Sequence, residues 1–222
     1  MTTGQPSALS AEVAERLRRL ARGGAPQAPG PGDAPPRAPM GTARCDLCGG
    51  LMAEDHRHLL HVTERRIVCA CEPCIAMRSG EGDLRPTGTR AIVLDGFELD
   101  DELWARFQIP IGLAFLMVSS ADGGVVALYP SPAGVTESEL YLEAWNELLA
   151  ANPMLADLEP DVEALVVNRL SDPPVHAIVP IDRCYELVGA IKSTWEGISG
   201  GDAVENAVEA FFARLATERK AR

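Results

Sequence analysis

Five of the six cysteines fall between Cys45 and Cys74. Cys45 and Cys48 stand three apart, and so do Cys71 and Cys74. A tight turn with that spacing can grip one metal ion with two sulfurs. Two such turns supply four thiolates in a tetrahedron, which suits zinc and, with the same donors, iron or an iron–sulfur cluster. Cys45, Cys48, Cys71 and Cys74 are therefore the first-choice ligands for one ion. Gly49 favours the arrangement, because a residue without Cβ lets backbone amides approach the sulfurs. The stretch from Gly49 to Ala70 is somewhat longer than a common ribbon loop and has room for two short strands.

Two other residue types widen the choice. Cys69 is a fifth thiol that could replace Cys71, or stand beside the ion as a reactive group. His56, His58 and His61 lie between the two halves, and in an extended chain His56 and His58 share a face while His61 takes the other. A Cys3His site using His58 is the alternative ligand set. The simpler reading leaves the histidines on the surface or bonded to carbonyls, since four cysteines already fill the shell. A full thiolate shell has no position for a substrate water, which argues against catalytic zinc. An enzyme would need His56 or His58 with fewer cysteines, and a base such as Glu54.

The rest of the chain must hold these turns in place. Its 222 residues suit one ordinary domain plus a smaller module. Nearly half are apolar, enough for a substantial core. The formal charge of -12 makes phosphate backbones and anionic lipid poor partners, so nucleic acid is not expected. No apolar run reaches the ~20 residues of a membrane span. The polar start, Met1 to Ser10, does not read as a secretory signal. A cytoplasmic location is expected, where clustered thiols stay reduced and bind metal rather than form disulfides.

Three regions follow. Residues 1–42 read as a helix, Ser10 to Arg22, and a disordered Pro/Gly/Ala linker. Residues 43–80 form the cysteine-rich module, zinc-ribbon-like, with strands at Leu59–Val62 and Arg66–Val68 and a helix opened by Pro73. Residues 84–218 alternate hairpins and helices. Strands are expected at Ala91–Leu94, Ile111–Ser119, Val125–Tyr129, Glu163–Leu170 and Val175–Ile181. Helices are expected at Asp100–Phe107, Glu137–Ala150, from a cap at Asp182, and from about Asp202. The class is α+β, a mostly antiparallel sheet with helices on one face. Cys184, on an apolar helical stripe, reads as core, and His176 as a rim residue.

The run Cys45-Asp-Leu-Cys48, Glu54-Asp-His56-Arg57-His58-Leu59 and Cys69-Ala-Cys71-Glu-Pro-Cys74 resembles an uncharacterised bacterial family encoded beside uptake nickel–iron hydrogenase genes. The resemblance extends from Ala43 to Leu215. It implies an accessory role in assembly, maturation or electron handling, with a hydrogenase subunit or maturation factor as protein partner. It carries no catalytic residues. The expectation is a non-catalytic, zinc-binding accessory protein, with a rubredoxin-like or iron–sulfur electron carrier as the alternative.

Overall fold

The computed structural model describes residues 40–138, 140, 142–196 and 200–220. The helix expected over Ser10–Arg22, and the linker as far as Pro39, lie outside the described residues. Met40–Arg222 form one compact unit. Its first strand begins at Met40, inside the stretch expected as linker.

Three antiparallel sheets account for the strands. β1 (Met40–Arg44) pairs with β2 (Leu51–Ala53). β3 (His58–His61) lies between β4 (Arg66–Cys69) and β5 (Leu84–Pro86), and helix α1 (Glu72–Arg78) links β4 to β5. The large sheet comprises β6 (Ile92–Val93), β7 (Leu113–Ser119), β8 (Gly124–Ser131), β9 (Gly134–Ser138), β10 (Glu163–Asn168) and β11 (Val175–Pro180). Its spatial order is β6-β11-β10-β7-β8-β9, with every neighbour antiparallel. The helices that follow are α2 (Asp101–Arg106), α3 (Leu142–Ala151), α4 (Ile181–Thr194) and α5 (Gly201–Lys220).

The α+β class and the antiparallel sheet agree with the sequence reading, but helices cover both faces rather than one. The reason lies in the central strands. Successive side chains of a strand point to opposite faces, and both sets of β7 and β10 are apolar. Leu113, Phe115 and Met117 join Ala164 and Val166 in a core with Cys184, Leu187 and Ile191 of α4 and Phe211 and Leu215 of α5. Ala114 and Leu116 join Leu165 and Val167 in a second core with Leu103 of α2 and Trp145 and Leu148 of α3. Cys184 is fully buried in the first core, as its helical stripe suggests.

Two local expectations change. Gly134 to Ser138 form β9, so the helix expected from Glu137 starts at Leu142. A tight turn at Ser131–Gly134, with Gly134 at φ +121, sends the chain back along β8, and β-branched Val135 and Thr136 suit the strand. Asp182 does not occupy the N-cap of α4, which is Pro180; it falls in the first turn, where one carboxylate oxygen accepts from the Arg183 N–H at 3.0 Å and the other meets His58 and Thr87. Asp100 does cap α2, accepting from the Leu103 N–H at 2.8 Å. Asp100→Ala is expected to lower stability by about 1 kcal/mol, read as a shift in urea midpoint with unchanged slope.

The cysteine module is seated on the large sheet. In β3 the alternation splits two leucines: Leu59 enters the module's own core with Met52, Val68 and Ile75, while Leu60 enters the core shared with α4 and α5. Arg65 adds ion pairs to Asp122 and Glu137 of the β7–β8–β9 meander. Among the described residues no helix is long and apolar enough to cross a membrane.

Candidate metal centre

The first turn follows β1. Cys45 N–H donates to the Gly50 carbonyl and Gly49 N–H to the Cys45 carbonyl, both at 2.8 Å, which closes the loop around Cys48. Gly49 sits at φ +72, a left-handed conformation that any residue with a Cβ adopts at a cost. The second turn is the start of α1. Cys71 occupies its N-cap, Pro73 falls at the helix start, and Ile75 N–H donates to the Cys71 carbonyl at 2.9 Å. Asp46 ties the two turns together, since its N–H donates to the Cys69 carbonyl and its carboxylate accepts from the Cys69 N–H, each at 2.8 Å.

These turns bring Cys45, Cys48, Cys71 and Cys74 together, with all four sulfurs within 4.8 Å of one another. Cys48 and Cys71 are 3.7 Å apart. A tetrahedron of thiolates at about 2.3 Å from zinc has edges of roughly 3.8 Å, so the donor set fits such an ion. The electrostatics agree. Burial alone would raise the Cys45 thiol, but N–H groups of Cys71, Cys48 and Leu47 point at its sulfur and hold it down to about 6. The neighbouring sulfurs of Cys71 and Cys48 push Cys74 up to about 12. Crowded sulfurs resist sharing several negative charges, and a divalent cation removes that conflict. Cys45 is buried and Cys48 exposed, so the cluster lies at the edge of the module.

The two residues expected as substitutes, Cys69 and His58, are placed elsewhere. The β3–β4 register sets them directly opposite one another. With His56 they form a second group, whose three ligand atoms also lie within 4.8 Å of one another. His56 Nδ1 lies 3.0 Å from the Ala53 carbonyl and 3.1 Å from that of Glu54. His58 Nδ1 lies 2.8 Å from Asp182 Oδ2, which also accepts from Thr87 Oγ1 at 3.2 Å. Burial, and then the negative charge of Asp46, push the Cys69 thiol up. His61 points away from this group and approaches Glu64.

Both histidines of the second group line a cleft of about 610 Å3, together with Glu54, Arg57, Asp182 and Tyr185. The grouping of His56, His58 and Cys69, and the part played by Asp182, were not anticipated from the sequence. A signal existed in the two strands expected between the cysteine pairs, since pairing them brings their side chains together. His176, expected at a rim, is 8% exposed and stacks on Phe97 with ring centroids 4.4 Å apart. Burial, with Arg169 nearby, holds its imidazole down to about 4.

The chain belongs to a family of unknown function (DUF5947), which it matches over residues 44–219. The match takes in the cysteine and histidine groups and the six-stranded sheet alike. No curated protein and no solved structure matches the chain.

Proposed function

We propose that this protein is a non-catalytic accessory protein in which Cys45, Cys48, Cys71 and Cys74 hold one zinc ion. The ion stiffens the module, and the module meets a protein partner. The observation that carries this reading is the closed set of four sulfurs within 4.8 Å of one another. Such a set fills a tetrahedral ion and leaves no position for substrate, so its contribution is to folding and shape. Three apolar side chains of the module, Leu47, Leu51 and Met77, are exposed, which suits a contact surface. The partner we propose is a subunit or maturation factor of a nickel–iron hydrogenase. What supports that is the resemblance of the cysteine–histidine block to a family encoded beside such enzymes.

The test is metal analysis and visible absorption of protein purified without oxygen. Colourless protein containing zinc, with the four-cysteine zinc lost in Cys48→Ser, is the expected result. Iron with thiolate-to-metal absorption bands overturns it and makes the site an electron carrier. Co-purification of a hydrogenase subunit, lost when Leu47, Leu51 and Met77 are replaced by serine, is the expected result for the partner.

A further inference from the structure

We propose that His56, His58 and Cys69 form a second metal site, separate from the four cysteines, with an open coordination position at the cleft. Three observations carry it.

The first is proximity. Two imidazoles and one thiol, contributed by the loop before β3, by β3 itself and by β4, place their ligand atoms within 4.8 Å of one another. An ion at about 2.0–2.3 Å from each donor needs only small side-chain movements to reach all three.

The second is the state of the rings. A carbonyl oxygen can only accept, so the Nδ1 of His56, which faces two carbonyls, carries the proton. Its Nε2 therefore keeps a lone pair. That nitrogen is buried and has no hydrogen-bond partner among the described residues. A buried acceptor without a partner is costly, and a bound ion removes the cost. The rings of His56 and His58 lie edge to face, with centroids 4.8 Å apart.

The third is Asp182. Its carboxylate accepts a hydrogen bond from the His58 Nδ1–H at 2.8 Å and is itself held by Thr87. A carboxylate behind an imidazole is the usual support of a metal-binding histidine, because it fixes the tautomer and makes the other nitrogen a better donor. This contact spans 124 residues of sequence.

Two imidazoles and one thiolate suit a borderline ion of the zinc class. Three protein donors leave a fourth position for an exchangeable ligand. That ligand would be water or a small anion, reached through the cleft that both histidines line. The four-sulfur site is closed and this one is open, so the two ions would differ in lability.

The probe is cobalt(II) titrated into the metal-free full chain. Two equivalents are expected. One brings strong thiolate absorption, and the other brings weaker absorption that azide alters. His56→Ala and Cys69→Ser should each take up one equivalent, retain the strong absorption and lose the azide response. The retained equivalent reports that the module is still folded. Asp182→Asn should weaken only the azide-sensitive equivalent, by about 10–100-fold. Uptake of one equivalent that His56→Ala leaves unchanged overturns the proposal. So does one equivalent lost in both His56→Ala and Cys48→Ser, which would mean a single mixed site. An equivalent lost in Cys48→Ser but kept in His56→Ala tests the four-cysteine reading by itself.

Discussion

Cys45→Ser is expected to abolish the first ion and unfold the module from Ala43 to Pro86. Cys45 is 2% exposed and is the one ligand built into the module's core, beside Met52, Leu59, Val68, Ala70 and Ile75. So few apolar side chains bury too little surface to offset chain entropy, and modules of this size depend on a covalent or metal staple. Apparent binding free energies for structural zinc reach roughly 10–16 kcal/mol at neutral pH. Even half of that is comparable to the whole net stability of a small domain. Limited proteolysis should therefore cut Cys45→Ser within the module at protease levels that leave the wild type intact. A strong chelator should produce the same cleavage in wild type and add nothing in the variant. If chelation leaves the cleavage pattern unchanged, the sheet alone holds the module through Leu60, Val62 and Arg65, and the ion has another purpose.

Arg90→Ala is expected to cost about 3–5 kcal/mol, because it strands a buried carboxylate. Glu163 opens β10 and is 3% exposed. Arg90 grips it with two nitrogens, Nε at 2.8 Å to one oxygen and a terminal nitrogen to the other. The Glu159 N–H adds a third donor at 3.0 Å, and Arg90 also donates to the Asp157 carbonyl at 2.9 Å. Alanine removes the charge and both parallel hydrogen bonds together. Arg90→Lys keeps a charge but not the fork, so its loss should be smaller. Replacing both partners with apolar residues, Arg90→Met with Glu163→Leu, should recover much of the stability, since the penalty comes from the unpaired charge. Urea unfolding of the four proteins measures this directly. Equal losses for the single and double variants would show that the pair itself contributes the stability.

The two predictions bear on different parts of the molecule. The first concerns the ion, and is read at the module. The second concerns the sheet to which the module is attached. Arg90 lies between β5 and β6, on the connection from the module to the sheet edge. Its ion pair anchors that connection to the central strand β10, and so helps to fix β5, the third strand of the module's sheet.

Much of this architecture is legible in the residues alone, where the cause is local. Two cysteines three apart can grip one metal from a single tight turn, a property set by their own spacing. The strands of the module follow from short apolar runs, and the stripes of α4 and α5 from spacing along a helix. The Asp122-Gly123-Gly124 hairpin needs a left-handed residue, and Gly123 supplies it at φ +66. The burial of Cys184 follows from the same periodicity.

The tertiary structure decided what depends on partners distant in sequence. Spacing favours Cys71 as the completing ligand but leaves Cys69 and His58 open as substitutes. Strand register separates them, because setting His58 opposite Cys69 draws both toward His56 and away from the four cysteines. Periodicity marks β7 and β10 as apolar on both sides but cannot say which helix covers which side. Asp182 looks like a helix cap in sequence, and only the tertiary structure brings its carboxylate to His58. Local chemistry sets what a residue is able to do, and long-range packing sets which neighbours it does it with.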